Sequence, residues 1–214
     1  DLSTVNLSVS GNLNIAQAKV IVAYNAASET YSVVDSAANV ATNVADAAVT
    51  GASSVTLTGA GTIAQVDGIA ELTNLVGGYS ITDSATAVQT AIDTANATGA
   101  GDRALVQNAN TVTLNTSATV EEALGSLGNT DRGLSKLGIG YAIEDTVTAM
   151  LAGLSGIDST GITGASALYA SDDTAMTISS ATTLTSLANW SGHDHDNDPD
   201  TAGLYYLSDS FTAL

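Results

Sequence analysis

One six-residue motif recurs four times along the chain and constrains its fold more than any other feature. The motif is a tyrosine, any residue, an aliphatic residue, any residue, an aspartate and then a serine or threonine. It occurs as YSVVDS from Tyr31, YSITDS from Tyr79, YAIEDT from Tyr141 and YYLSDS from Tyr205. The copies start 48, 62 and 64 residues apart. A recurrence of this length predicts a protein built from structural repeats.

Each copy of the motif predicts a short strand that leads directly into a helix. The alternating tyrosine and aliphatic positions suit the buried face of a strand, and runs such as ATAVQTAIDTA after the motif suit a helix. The aspartate is expected to cap that helix by accepting hydrogen bonds from the free N–H groups of its first turn. The capping aspartates are Asp35, Asp83, Asp145 and Asp209. Because each lies at a strand-to-helix boundary, capping is favoured over a catalytic role.

A second pattern alternates with the first, in the segments LSVSGNLNIAQA, VTLTGAGTIAQV, VTLNTSATVEEA and MTISSATTLTSL. We expect an equivalent buried strand residue in each copy, namely Val9, Leu57, Leu114 and Ile178. Six residues later comes a second apolar residue, which is Ile15, Ile63, Val120 or Leu184. The residue before it is of a helix-capping type: Asn14, Thr62, Thr119 or Thr183. Glu122 follows Thr119 by three residues, which predicts a capping box.

Together the two patterns predict an α/β fold, an elongated repeat solenoid of short parallel strands alternating with short helices. We expect one elongated domain over residues 1–214, with four double repeats at approximately 5–53, 54–103, 104–166 and 167–214, the last truncated. The alternatives are an all-β sandwich or a β-solenoid, since short threonine-rich strands also suit these folds. The helix-forming runs favour the α/β interpretation.

The charge balance excludes several classes of partner. The chain has 22 acidic and 4 basic residues, a formal net charge of −18. Such a charge repels nucleic acid and anionic lipid and attracts divalent cations. With no cysteine, a disulfide framework or a thiolate metal site cannot form. The sequence also has no apolar run of the length that a transmembrane helix needs and no visible signal peptide at its start.

The segment HDHDNDPD, residues 193–200, is the strongest candidate for a metal site. Four aspartates alternate there with other residues: Asp194, Asp196, Asp198 and Asp200. Oxygen ligands at alternating positions of a tight loop suit a hard cation, so this segment predicts a Ca²⁺ site. An EF-hand is excluded because its central glycine and distal glutamate are missing. A solvated acidic turn is the plain alternative, and Zn²⁺ through His193 and His195 is disfavoured because no third nitrogen ligand is nearby.

The sequence predicts that the protein is not an enzyme. Both histidines lie in the acidic segment, and the chain lacks GxSxG, HExxH and phosphate-binding GxxxxGK[ST] motifs. The threonine-rich strands could present a flat array to ice or sugar, but outward polar residues are ordinary in strands. Trp190 alone is too little for a carbohydrate platform.

The alternation of YSITDSATAV with VTLTGAGTIAQ resembles the long tandem arrays of giant bacterial surface proteins, which include secreted adhesins and S-layer-like proteins. This resemblance implies an extracellular or cell-surface location and a role as a spacer, lattice or filament component. The glycine-rich nonapeptide of calcium-binding RTX repeats is absent.

We therefore expect a structural, self-associating extracellular repeat protein, of an S-layer, sheath, fibre or adhesin spacer, stabilised by Ca²⁺. Its partners would be further copies, in head-to-tail or lattice contacts, or flanking repeats of a longer chain, since neither end shows a polar cap. The alternative is an adhesive or carbohydrate- or receptor-binding module of a surface or phage fibre, for which glycans would be the partners.

Overall fold

The computed structural model describes residues 11–24, 30–98, 101–125, 134, 139–156, 159–172 and 175–193. Within these ranges the chain is a mixed α/β protein with ten helices and small, open parallel sheets. The α/β class is thereby confirmed, and the all-β alternative is wrong for the described part of the chain.

Strands and helices alternate along most of the described chain. The strands are β1 (Asn12–Leu13), β2 (Ser32–Asp35), β3 (Ser54–Leu57), β4 (Ile81–Asp83), β5 (Val112–Leu114), β6 (Ile143–Asp145), β7 (Leu168–Ala170) and β8 (Trp190–His193). The helices are α1 (Ile15–Ala23), α2 (Ala37–Thr42), α3 (Ala47–Thr50), α4 (Ile63–Ala70), α5 (Ala85–Thr98), α6 (Gly101–Asn108), α7 (Val120–Leu124), α8 (Val147–Ser155), α9 (Thr160–Thr163) and α10 (Ile178–Thr185).

The chain divides into two compact units. The first comprises Asp1–Asp83 and Thr94–Val112, and the second comprises Ser84–Asp93 and Thr113–Leu214. The first unit contains the parallel sheet β1-β2-β3, and the second contains the parallel sheet β6-β7-β8.

In the first unit, helices cover one face of the sheet. Val33 of β2 pairs with Val55 of β3, and both side chains are fully buried. They belong to one apolar cluster with Ile21 of α1 and Val40 of α2. Parallel neighbours joined through a helix are the geometry expected of strand–helix–strand segments.

The second unit also contains a parallel sheet with buried apolar side chains. Ile143 of β6 pairs with Leu168 of β7, and both are fully buried. Met150 of α8 and Ile162 of α9 are also fully buried. Small residues let the helices approach closely: a Cβ added to Gly153 of α8 would lie 3.0 Å from Ile162 Cδ1.

The tyrosines of the repeated motif are buried in equivalent places, as predicted, but they lie just before the strands and not within them. Tyr31, Tyr79 and Tyr141 are all buried, and each lies one or two residues before a strand. Tyr205 lies outside the described residues.

Three of the four helix caps predicted from the second pattern are confirmed. Asn14, Thr62 and Thr119 each accept a hydrogen bond from the backbone N–H three residues later. The residue in that later position returns the bond through its side chain, so α1, α4 and α7 all begin with a capping box. The box predicted for Thr119 with Glu122 is therefore present.

The predicted alignment of the fourth copy of the second pattern is wrong. Thr183 lies inside α10, and Thr177 is the residue that caps it. Ile178 opens this helix and is not a strand residue equivalent to Leu57 and Leu114, which end β3 and β5 and are only partly buried. Val9 lies outside the described residues. The true correspondence is shifted by six residues, because Ile178 matches the first helical residues Ile15, Ile63 and Val120.

Candidate functional site

The predicted Ca²⁺ ligands lie outside the part of the chain that the structure describes. They are Asp194, Asp196, Asp198 and Asp200. Among the described residues, no group of three histidine, aspartate or glutamate side chains comes close enough together to hold a metal ion. The Ca²⁺ site therefore stays a prediction.

The aspartates of the repeated motif have a different partner from the one predicted. Asp35 Oδ2 accepts a hydrogen bond from the backbone N–H of Ile15, at 3.0 Å. Ile15 is the first residue of α1, which lies in the preceding strand–helix segment, 20 residues earlier. The aspartate thus caps the previous helix, while its own helix α2 is capped by the Ser36 hydroxyl.

The same kind of hydrogen bond recurs in both units. We call it the backward aspartate bond, because the aspartate accepts from the first backbone N–H of a helix that lies earlier in the chain. Asp83 Oδ2 accepts from the N–H of Ile63 at 2.9 Å, within the first unit. Asp145 Oδ2 accepts from Val120 at 2.9 Å, within the second. A fourth example involves Asp172, which the motif did not single out, and whose Oδ1 accepts from Val147 at 3.0 Å. In every case the donor is the first residue of a helix, 20 or 25 residues earlier in the chain.

Two of these carboxylates bridge consecutive segments with both oxygens. Asp35 Oδ1 accepts from the Ser36 N–H and from Asn39 Nδ2, both at 2.8 Å. Asp145 Oδ1 likewise accepts from the Thr146 N–H at 2.7 Å. An ionised carboxylate at the start of two helices accepts hydrogen bonds from N–H groups that would otherwise be unpaired. It also interacts favourably with both helix dipoles.

Hydrogen bonding also changes the acidity of Asp35. Burial alone would raise its pKa, but the bonds from Ile15, Asn39 and Ser36 outweigh burial and hold the pKa below the ordinary value of 3.8. The carboxylate is therefore ionised near neutral pH and serves as a fixed acceptor. Such a group is poorly suited to act as a general acid or base at that pH.

The hydroxyl groups of the motif tyrosines donate hydrogen bonds to backbone carbonyls later in the chain. The Tyr79 hydroxyl donates to the Leu105 carbonyl at 2.9 Å, and the Tyr141 hydroxyl donates to the Gly161 carbonyl at 2.6 Å. The Tyr31 hydroxyl makes a longer bond of 3.3 Å to the Ala47 carbonyl. In each case the acceptor lies in the helical turns that lead to the next strand.

Sequence reasoning missed a pair of asparagines with a matching structural role. Asn74 Nδ2 donates to the carbonyls of Val49 and Ala52, both at 2.9 Å. Asn189 Nδ2 donates to the carbonyls of Ile162 and Ala165, at 3.0 and 2.9 Å.

The carbonyls of Val49 and Ile162 belong to α3 and α9, and those of Ala52 and Ala165 lie two residues beyond the ends of these helices. The available signal was the short pattern Leu-x-Asn-apolar, LTNL at 72–75 and LANW at 187–190.

An open groove in the first unit has a partly polar lining. It has a volume of about 330 Å³ and includes Asn14, Asp35 and Asn39 among its lining residues. Lys19 also lines it, but its ammonium group bonds to Asn43 Oδ1 at 2.7 Å and to Asp46 Oδ2 at 3.0 Å. The polar groups of this groove are thus engaged in holding α1 against the segment that follows it.

Among the described residues, none of the helices combines the length and the hydrophobicity that crossing a bilayer requires.

Comparison with protein-family models, with curated proteins and with solved structures found no match to this chain.

Proposed function

We propose that this chain is a structural, self-associating extracellular repeat protein, the component of an S-layer, sheath, fibre or adhesin spacer, and that Ca²⁺ stabilises it. Its strand–helix segments would stack as the successive turns of an elongated solenoid, in the four double repeats that the sequence predicts. The chain would have no catalytic role.

The observation that carries this proposal is the backward aspartate bond. It joins one segment to the segment before it, and it recurs four times at 20 or 25 residues. In repeat proteins, stability comes from contacts between neighbouring segments, so bonds of this kind are the ones that such a protein needs. The tyrosine and asparagine bonds act over similar distances in the sequence.

The chemistry of the described side chains also favours a structural role. Asp35 and Asp145 accept hydrogen bonds from backbone N–H groups, and Lys19 forms an ion pair with Asp46. Each of these groups would have to give up a structural bond before it could bind a ligand or transfer a proton.

The net negative charge of the chain is the reason for including Ca²⁺ in the proposal. The formal charge of −18 opposes contact between copies, and divalent cations reduce that repulsion by screening and by bridging. The segment from Asp194 to Asp200 would bind Ca²⁺ directly, with a dissociation constant of about 10⁻⁴–10⁻³ M, the range of extracellular calcium modules. The extracellular location rests on the resemblance to tandem surface-protein arrays.

Light scattering and electron microscopy of the purified chain, with and without Ca²⁺, test the proposal. We expect particles larger than a monomer in millimolar Ca²⁺ and their loss on chelation. Sodium chloride at matched ionic strength is the control that separates bridging from screening. A stable monomer at every Ca²⁺ concentration would contradict self-association and favour the adhesive or ligand-binding alternative.

Calorimetry tests the metal site separately. The variant with Asp194, Asp196, Asp198 and Asp200 all changed to Asn should lose the Ca²⁺ uptake of the native chain. If the native chain takes up no Ca²⁺ at millimolar concentration, the metal site is wrong, and self-association would have to rest on other contacts.

A further inference from the structure

Four asparagines of this chain lie in the motif Asn-x-Ser/Thr, the acceptor motif for N-linked glycans: Asn6, Asn96, Asn115 and Asn189. The chain is rich in serine and threonine, so the motif alone does not identify a modified residue. The structure describes the side chains of Asn115 and Asn189, and their surroundings differ sharply.

Asn115 lies in the turn between strand β5 and helix α7, and it is exposed. The two groups that define the motif are its side-chain amide and the hydroxyl of Ser117, which is partly exposed. Neither group has a hydrogen-bond partner among the described residues. An enzyme can therefore engage both groups without breaking a structural bond. A surface turn of this kind is where the motif is expected to be modified.

The neighbours of Asn115 hold this turn in place. Thr116 Oγ1 accepts a hydrogen bond at 3.0 Å from the backbone N–H of Ala85, the first residue of α5. Just after the motif, the Ala118 N–H donates to the Ala142 carbonyl at 2.8 Å. All of these residues belong to the second unit. The structural bonds of the turn are thus made by the residues around Asn115, and its own side chain is left for another use.

The corresponding turn of the first unit shows that this position tolerates additional bulk. Aligning Leu57 with Leu114 places Thr58, Gly59 and Ala60 at positions 115–117, and all three are exposed. A Cβ added to Gly59 would meet nothing within 4 Å. The turn is open in both units, and the second unit has the acceptor motif there where the first does not.

An open groove beside Asn115 provides space for a sugar. It has a volume of about 390 Å³, and its lining includes Asn115, Ser117, Tyr141 and Ser166. The amide and hydroxyl groups among these residues can both donate and accept hydrogen bonds, as the hydroxyl groups of a carbohydrate do.

Asn189 carries the same motif in the opposite environment. Its Nδ2 donates to the carbonyls of Ile162 and Ala165, at 3.0 and 2.9 Å. Its own carbonyl accepts from the Leu168 N–H at 2.9 Å. The nitrogen that would carry a glycan is therefore already used in the fold, so Asn189 is an internal control for Asn115.

We propose that Asn115 is the attachment site of an N-linked glycan. This inference rests on the extracellular location in the proposed function and assigns a modification to the exposed surface. Asn115 Nδ2 attacks the anomeric carbon of a sugar carried on a lipid diphosphate. A C–N bond forms as the C–O bond to phosphate breaks, the lipid diphosphate leaves with the electron pair, and one amide proton passes to a base of the transferase.

Mass spectrometry of peptides from the chain, isolated from the cells that produce it, tests the proposal directly. We expect a glycan on Asn115 and an unmodified Asn189. The absence of a glycan on Asn115 in this material would overturn the proposal.

Transfer to the purified, unmodified chain tests the role of each group in the motif. The folded chain is incubated with an oligosaccharyltransferase and a lipid-linked oligosaccharide. Ser117→Ala keeps the acceptor nitrogen but removes the hydroxyl, and it should abolish transfer to Asn115. Ser117→Thr keeps the hydroxyl and should retain transfer. Far-UV circular dichroism checks that both variants remain folded. Transfer to Asn115 that is undiminished in Ser117→Ala would contradict recognition through this motif.

Asn189 provides the matched comparison within the same molecule. Synthetic peptides covering residues 111–119 and 185–193 should both accept the glycan, because neither is held in the fold. In the folded chain we expect transfer to Asn189 to be at least about tenfold slower than to Asn115, since two hydrogen bonds must break first. Equal rates at the two asparagines of the folded chain would overturn the selection of Asn115 by its surroundings.

The outcomes separate this inference from the proposed function. If the chain is found outside the cell and assembles in Ca²⁺ while Asn115 carries no glycan, the inference is wrong and the proposed function stands. If Asn115 carries a glycan and the chain is monomeric in Ca²⁺, the inference stands and self-association falls.

Discussion

The carboxylate of Asp35 accepts a hydrogen bond from the backbone N–H of Ile15, at 3.0 Å and across 20 residues of sequence. Ile15 opens helix α1, and Asp35 ends strand β2 in the next segment. One side chain therefore fixes the start of one helix relative to the strand that follows it. The bond couples local structure to the packing of neighbouring segments, which is the interaction on which a repeat protein depends.

Replacing Asp35 by Asn should destabilise the first unit. The carboxylate accepts three hydrogen bonds, from Ile15, Ser36 and Asn39. An amide has one oxygen, so its NH₂ group must face at least one of these donors. We expect the free energy of unfolding to fall by about 1–3 kcal/mol in urea titrations followed by circular dichroism.

The control for this variant is Asp67→Asn on the exposed side of α4. It removes the same charge and should change the free energy of unfolding by less than about 0.5 kcal/mol. If both variants lose the same stability, the effect comes from net charge and not from the bonds of Asp35.

The stabilising effect of Asp35 should depend on pH. Its pKa in the folded protein lies below the ordinary value of 3.8. A carboxyl group with a lowered folded pKa stabilises the protein fully above its unfolded pKa and loses that effect as pH falls through the folded pKa. The difference in unfolding free energy between the native chain and Asp35→Asn should be largest near pH 7 and shrink below about pH 4. A difference that stays constant down to pH 2 would contradict this linkage.

Local sequence patterns were sufficient to predict how several helices begin. Asn14, Thr62 and Thr119 could be identified because each is a capping residue type directly before the first apolar residue of a helix, although a partner three residues later was predicted only for Thr119. The partner of Asp35 could not be identified in this way. Its donor is 20 residues distant and becomes a neighbour only when two strands pair in parallel.

The wrong prediction of Thr183 as a helix cap also arises because local sequence does not contain the deciding tertiary contact. The segment from Thr177 to Ser186 contains seven hydroxyl residues, so several positions satisfy the local rule for a cap. What distinguishes Thr177 is tertiary: Met176, just before it, is buried, and the helix begins at Ile178. The candidate Ca²⁺ ligands, by contrast, are predicted from the alternating spacing of four aspartates in one short segment, and they lie outside the described residues.

Asn74 should be more sensitive to substitution than its partly exposed position suggests. Its Nδ2 group donates to two carbonyls, those of Val49 and Ala52. In Asn74→Asp an ionised oxygen would face these carbonyls, so both bonds are lost and repulsion is added. We expect a loss of about 2–3 kcal/mol in the free energy of unfolding at pH 7.

Acidic pH should partly rescue Asn74→Asp, because a protonated carboxyl can again donate one hydrogen bond. Asn12→Asp supplies the control, since Asn12 is exposed and the substitution adds the same charge. Rescue that is equal in both variants would show that general charge repulsion, and not the bond to the helix end, causes the loss.

Two helical glycines should respond to alanine with opposite signs. Gly68 of α4 and Gly153 of α8 both lie in helix interiors, where alanine is favoured over glycine by about 1 kcal/mol. At Gly68 the added Cβ would meet Val44 at 3.7 Å, an ordinary contact, so Gly68→Ala should stabilise the protein by about 0.5–1 kcal/mol.

At Gly153 the added Cβ would lie 2.9 Å from Val120 Cγ1 and 3.0 Å from Ile162 Cδ1. Both neighbours are buried and β-branched, so they cannot rotate away without disturbing the core. Overpacking typically costs about 1–3 kcal/mol, which exceeds the gain in helix propensity, and Gly153→Ala should be destabilising. Urea unfolding of the two variants beside the native chain measures both effects. If Gly153→Ala stabilises the protein as much as Gly68→Ala, the helices α7, α8 and α9 pack less tightly than these distances indicate.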